Sequence, residues 1–265
     1  MEINNTRGLL FDTHAHYDDA RFDGDREALI ASLPENGVGA AVDIGCSFDT
    51  IPKAVALAEK YGFFYASVGL HPNDAQTAED NPDTLNMLKG YLKHPKVVAI
   101  GEIGLDYHWD EPSRDIQKKW FCLQLSLAEE TGYPVIIHDR EAHGDTMEII
   151  RKYPKVTGIF HSFSGSPEMA EELVKRGYYI SFSGVLTFKN AAKLPEVAKI
   201  VPTDRMLIET DCPYLAPHPC RGQRNSSILM RYTAEKLAEI KGMTYDEVCD
   251  ITFENAKRVY GLTDK

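Results

Sequence analysis

Long apolar runs are missing from the 265-residue chain: none approaches the roughly 18 residues that a bilayer span requires. No leader is expected, because the start, MEINNTRGLLFDTHAH, shows no basic segment running into an apolar stretch and cleavage site. The protein is therefore expected in the cytoplasm, with no membrane partner. Cysteine is sparse. Cys46, Cys122, Cys212, Cys220 and Cys249 are scattered, odd in number and without a C-x-x-C pair, which reads as reduced thiols. Cys212 adjoins Asp211, a metal candidate, so a catalytic thiol is weighed there against packing at a strand end, and packing is the preferred reading. Positive charge is short as well: 29 Lys and Arg stand against 40 Asp and Glu, for a formal net charge of -11. That balance excludes broad nucleic-acid binding driven by counterion release. A nuclease stays open, since bound metal supplies positive charge where a few phosphates need it. No Gly-rich turn follows the first strand-like run, which argues against an open doubly wound dinucleotide fold. No organic cofactor is expected, and no linker, low-complexity tract or repeat beyond a βα unit interrupts the chain.

What is present is a regular alternation. At 43% hydrophobic and 26% charged, the composition suits a globular protein with a sizeable core. The length suits one α/β barrel better than two small domains. Short β-branched or aromatic runs recur along the whole chain: GLLFDTHAH from Gly8, GAAVDIG from Gly39, FFYASVGLHP from Phe63, VVAIGEIGLD from Val97, PVIIHDR from Pro134, TGIFHSF from Thr157, YYISFSG from Tyr178 and MLIETDCP from Met206. Between them, REALIASLPENG, PKAVALAEKYG, RDIQKKWFCLQLSLAEETG, SPEMAEELVKRG and SSILMRYTAEKLAEIKG carry apolar residues three and four apart, and several close on Gly. Parallel strands buried on both faces should be nearly continuous apolar runs, as AAVDIG, VVAIGEI and PVIIH are. Eight strands alternating with crossover helices predict a single-domain (β/α)8 TIM barrel over residues 1–265. The tail, MTYDEVCDITFENAKRVYGL, adds one or two terminal helices.

Metal-capable side chains gather at the carboxyl ends of these runs. His14 and His16 close the first, Glu102 the fourth, His138 the fifth, His161 the sixth and Asp211 the eighth. Barrel strands deliver those ends to one face, where barrel active sites lie. His14 and His16 are two apart on a strand, so both imidazoles share a face and can chelate one ion. Glu102 is an acid inside an apolar strand. Burying it unpaired is costly, and two cations sharing it about 3.5 to 4 Å apart would compensate. One ion would take His14, His16 and Asp211, the other His138 and His161; a salt bridge to an arginine is the rival account of Glu102. Asp106 is read as a contact to substrate, an orienting partner of a ligand histidine, or a cap of the following segment. Asp211 is also the candidate general base. His71, in VGLHP, would hydrogen-bond a substrate phosphate and Arg221 would help to hold it, with Arg140, Glu141 and Arg224 at the same rim. Tyr17, Phe163, Phe188 and Tyr214 are candidates for stacking on nucleobases or for packing under rim loops. A donor set of nitrogen and oxygen suits Zn, Mn, Mg or Fe without choosing among them.

Taken in order, DTHAH, GLHP, GEIGLDY, IIHDREA, FHSFSG and ETDCPYLAP closely resemble the motifs of the TatD family of metal-dependent deoxyribonucleases, within the amidohydrolase-like barrels. The resemblance spans nearly the whole chain. It implies a two-metal site, with Mg usual for activity, and DNA as the substrate, often attacked from the 3′ end. By that resemblance His14, His16, Glu102, His138, His161 and Asp211 match the family's metal ligands, Glu102 the bridging group, and His71 a substrate-contacting histidine. The loop after the eighth strand departs from the pattern: Arg224, Asn225, Ser226 and Ser227 stand where members tend to carry Arg-Asn-Glu-Pro, so substrate contacts from that loop do not carry over. The expected reaction is in-line attack on phosphorus by a water whose proton passes to Asp211, with Arg221 and His71 steadying the phosphate. Two rival expectations keep the donors. Hydrolysis of a small ester, amide or lactone is favoured by the overall acidity, whereas a non-catalytic barrel that binds metal or a partner has no reason to retain six convergent donors.

Overall fold

Each of the eight runs becomes a strand. The structure, a computed structural model, describes residues 8–109 and 111–262; the ends of the predicted 1–265 domain lie outside the described residues. Strands β1 (Leu10–Ala15), β2 (Val38–Gly45), β3 (Phe64–Val68), β4 (Val97–Asp106), β5 (Val135–Arg140), β6 (Gly158–Phe160), β7 (Tyr179–Phe182) and β8 (Met206–Ile208) lie parallel in chain order. The ring closes where the chain beyond β8 returns to β1. There Ala15 bridges Cys212, the His16 N–H donates to the Cys212 carbonyl at 2.8 Å, and the Asp211 N–H donates to the His14 carbonyl at 2.9 Å. The architecture is the (β/α)8 barrel that the alternation predicts.

Around the strands run α1 (Arg26–Ser32), α2 (Ile51–Lys60), α3 (Ala75–Glu79), α4 (Thr84–Tyr91), α5 (Arg114–Thr131), α6 (His143–Ile150), α7 (Pro167–Lys175), α8 (Leu194–Ile200), α9 (Arg231–Lys241) and α10 (Tyr245–Val259). The five helical stretches read from the sequence correspond to α1, α2, α5, α7 and α9. The tail is one helix, α10, started by a capping box in which Thr244 and Glu247 satisfy each other's backbone N–H. The helices α3, α4, α6 and α8, five to eight residues long, are not among the stretches that apolar spacing predicts.

Alternation along the strands sorts their apolar side chains into two cores. Val135, Ile137, Ile180, Met206 and Ile208 join the layer packed against the helices. Phe11, Val42, Ile44, Ile136, Ile159 and Leu207 point the other way and fill the barrel. Phe253, Ala256 and Tyr260, on or just beyond α10, belong to that inner cluster. Phe253 meets Phe11 edge-on at 5.4 Å and lies against Gly39 at the start of β2, so α10 closes the amino-terminal end of the barrel. The opposite end is left open.

Candidate active site

The open end is lined by polar side chains carried on strand ends. His14 and His16 leave β1, Glu102 stands within β4, His138 lies on β5, His161 immediately follows β6, and Asp211 lies three residues beyond β8. Asp211 and Ser162, the residue after His161, both adopt positive φ, 57° and 38°. Such strained backbone concentrates at functional sites. The β4 and β5 backbones approach so closely that a Cβ on Gly104 would sit 2.0 Å from the His138 carbonyl oxygen. Only glycine permits the approach that brings His138 to Glu102.

Glu102, 4% exposed, is the centre of the cluster. Its Oε1 is 2.7 Å from His138 Nδ1, 2.8 Å from His161 Nε2 and 3.8 Å from His71 Nε2, while its Oε2 is 3.5 Å from His14 Nε2. One oxygen thus serves each half of the site. On the first half His14 Nε2 and His16 Nε2 face each other at 3.2 Å, with Asp211 Oδ1 3.7 and 3.4 Å away. On the second half His138 Nδ1 and His161 Nε2 face each other at 3.1 Å. Two imidazole nitrogens that meet head-on need a proton or a cation between their lone pairs. The geometry therefore fits divalent metal, and three overlapping donor groups are dense enough to hold it: His14, His16 and Glu102; His14, His161 and Asp211; and His71, Glu102 and His138.

Partners behind the donors fix their tautomers. Asp106 Oδ2 accepts from His138 Nε2 at 3.0 Å, which leaves the His138 Nδ1 lone pair aimed at the cluster. Glu209, fully buried, accepts from His161 Nδ1 at 3.3 Å and from the Ser162 N–H at 2.7 Å. His71 Nδ1 accepts from the Asn73 N–H at 3.2 Å, so its proton sits on Nε2.

Without metal, protons balance the charge. Burial alone would lift the Glu102 carboxyl, but the surrounding imidazoles, His161 foremost and His138 through its hydrogen bond, outweigh it and hold Glu102 well below the usual range. Burial likewise opposes ionisation of Asp211, and the bond to His16 together with the nearby imidazoles keeps it low. His16 and His161 are held well above the ordinary imidazole value, against burial, by Asp211 and Cys46 in one case and by Glu102 and Glu209 in the other. His138 is raised more modestly, with Asp106 and Glu102 overcoming burial. Burial and the His161 charge lower His14, and burial with the His138 charge brings His71 down to about 3, which leaves His71 neutral.

The cluster floors a cavity of about 620 Å³. Asp106, His71 and Arg140 line it, and Asp106 stands there directly behind His138. Several sequence-chosen residues are placed elsewhere. Arg221 is exposed outside the cavity, its guanidinium 3.6 Å from the Phe188 ring. Arg224 pairs with Asp25, Asn225 Nδ2 donates to the Thr210 and Tyr214 carbonyls, and Ser227 donates to Asp12. The divergent loop thus buttresses the β8 and β1 ends. Tyr17 and Phe163 are buried and present no face to a base, whereas Tyr214, 45% exposed, stays in the cavity wall. Cys212 is fully buried and its thiol is pushed far up by burial, so the packing reading holds over the nucleophilic one.

Glu209, Trp109, Lys53, Asp18 and Cys46 belong to the site without being expected there from the sequence. Of these, Glu209 alone carries a sequence signal, because it precedes Asp211 by two just as His14 precedes His16. The other four lie outside the strand runs and come to the cavity only through the fold.

Fold and donor set together define a barrel of the metal-dependent hydrolase class. The chain belongs to the TatD family, for residues 11–261 match the family described as TatD related DNase. It is 48% identical over 258 residues to the uncharacterized metal-dependent hydrolase YabD of Bacillus subtilis, covering 96% of this chain and 100% of that one. Identity to the uncharacterized metal-dependent hydrolase YcfH of Escherichia coli is 35% over 266 residues, 96% of each chain. The crystal structure of YjjV, a TatD homolog from Escherichia coli, matches with a TM-score of 0.88 at 31% identity, over 97% of this chain and 99% of that one. A mutant PTE-like lactonase of Deinococcus radiodurans shares the fold alone, with a TM-score of 0.66 at 14% identity over 95% of each chain.

Proposed function

We propose that this protein is a deoxyribonuclease that hydrolyses phosphodiester bonds with two divalent ions, working inward from a 3′ end. The observation that carries the reading is the split of Glu102, one oxygen toward His14 and the other toward His138 and His161, at the floor of an open cavity. His14, His16 and Asp211 would hold one ion, His138 and His161 the other, and Glu102 would be shared. Bound divalent ions neutralise phosphate charge and make water acidic enough to give up a proton near neutral pH. Asp211, held ionised at the edge of the donor cluster, would be the group to accept that proton. His71, neutral and protonated on Nε2, donates to a phosphate oxygen without adding a charge that would compete with the ions. Tyr214 and Trp109, the exposed aromatic rings of the cavity wall, offer faces to a base.

A second reading, hydrolysis of a small ester, amide or lactone, draws support from the acidic mouth, where Asp18, Asp19 and Asp74 line the cavity beside the donors. One experiment separates the two. Protein stripped of metal and resupplied with Mg, Mn or Zn is incubated with end-labelled single-stranded DNA, alongside Asp211→Ala and Glu102→Ala. Stepwise shortening from the 3′ end that needs metal and is lost in both variants supports the nuclease. Intact DNA under every ion, with turnover of an ester or lactone panel, assigns the site to carbonyl substrates.

A further inference from the structure

Two basic side chains line the catalytic cavity, Lys53 and Arg140, amid the carboxylates of Asp18, Asp19, Asp74, Asp106, Glu102 and Asp211. Among the described residues neither forms a salt bridge. Lys53 lies on the first turn of α2, exposed, and lines the cavity together with Asp18, without an ion pair between them. Arg140 ends β5, exposed, with its guanidinium 5.9 Å from the Trp109 ring and no carboxylate partner among the described residues. Elsewhere on the surface this acidic protein pairs many of its cations, as in Lys89 with Glu130, Lys119 with Glu79, Arg151 with Glu172 and Arg224 with Asp25.

Position makes the two unpaired cations informative. Lys53 lies on α2, which follows β2, and β2 pairs with β1, the strand that delivers His14 and His16. Arg140 stands by Trp109, two residues beyond His138. One unpaired cation therefore accompanies each half of the donor cluster. The cleaved phosphate itself is served by the cluster and by His71, so these two cations have charge to offer elsewhere. We propose that Lys53 and Arg140 hold phosphates neighbouring the cleaved one, so that the preferred substrate is a polynucleotide strand and not an isolated diester. This rests on the nuclease reading above and deepens it. An arginine fork and a lysine ammonium are both ordinary phosphate partners, and an uncharged ester or lactone would give them nothing to bind.

The test compares dithymidine monophosphate, whose single phosphate is the one cleaved, with the tetranucleotide TpTpTpT, using protein resupplied with Mg or Mn. Lys53→Ala and Arg140→Ala are measured beside Lys60→Ala, which removes the same charge from α2 at a site paired with Glu27 outside the cavity. The wild type is expected to prefer the tetranucleotide in kcat/KM. Each cavity variant should lose about five- to tenfold of that preference, as expected for a charged contact near solvent. Each should also reduce the log–log salt slope by about 0.7, the value for one single-strand phosphate contact. Lys60→Ala should keep both. A tetranucleotide preference and salt slope that survive in Lys53→Ala and Arg140→Ala would overturn the inference while leaving the nuclease reading in place, as would equal rates on both substrates. If the wild type cleaves neither substrate under either ion, the nuclease reading falls and this inference falls with it.

Discussion

Replacing Asp106 by Asn changes one atom type and should disable one half of the metal site. Asp106 is 1% exposed and both its oxygens accept from fixed donors, Oδ2 from His138 Nε2 at 3.0 Å and Oδ1 from the His108 N–H at 2.9 Å. Asparagine has a single oxygen, so one of these bonds must fail. If its amide nitrogen faces His138, that ring must carry its proton on Nδ1, the atom 2.7 Å from Glu102 and 3.1 Å from His161. The metal-free protein tolerates this, because Nδ1–H still donates to Glu102, but the lone pair needed by a cation is gone. If the amide is turned round, its nitrogen meets the His108 N–H, and that part-buried donor loses its bond, at a cost of about 1 kcal/mol. Loss of such an orienting partner typically weakens metal binding by about 10- to 100-fold, or about 1.4–2.7 kcal/mol. Calorimetric titration of Zn or Mn into stripped protein should show one of two binding phases weakened by that factor in Asp106→Asn. Metal-free unfolding in urea should move by less. A titration that superimposes on the wild type would refute the tautomer argument.

Metal uptake should release protons, because His16, His138 and His161 are held protonated in the free site and give up those protons to bind. Calorimetric enthalpies measured in buffers of different ionisation enthalpy should therefore differ, and identical values would contradict the charge balance described for the site. Those same raised imidazoles stabilise the metal-free fold below the ordinary histidine value, and the contribution is lost as pH rises through their raised values. The melting temperature of stripped protein should accordingly fall as pH climbs above about 6.5, and saturating metal should remove the decline. Phe253→Ala opens a hole at the amino-terminal end of the barrel, where the ring is 4% exposed and meets Phe11. It should cost about 3–5 kcal/mol in urea unfolding with metal affinity unchanged; a loss under about 1 kcal/mol would show that α10 does not seal the barrel.

The sequence carried the architecture in its periodicity. Parallel strands buried on both faces must be nearly continuous apolar runs, so all eight strands were visible, and with them the strand ends where His14, His16, Glu102, His138, His161 and Asp211 lie. Residues two apart share a face, which made the His14 and His16 pair legible and would have made Glu209 legible had the same rule been applied to Asp211. Where no period constrains the chain, sequence reasoning had only residue type. Arg221 and Arg224 suit phosphate as well as any arginine, yet Arg221 lies on Phe188 outside the cavity and Arg224 on Asp25, because the loop after β8 is committed to buttressing Asp12, Thr210 and Tyr214. Tyr17 reads as a rim aromatic from its place beside His16, but its hydroxyl is tied to Ser227 across the fold and the ring is buried. Lys53 and Trp109 carry no local signal at all, being an exposed lysine in a helix and a tryptophan in a loop. What the chain alone determined is therefore what repeats along it, the strands and the donors at their ends. What only the tertiary structure decided is which lone pair each imidazole presents, which carboxylate stands behind it, and which cations are left unpaired, since those depend on atoms distant in sequence that meet across the mouth of the barrel.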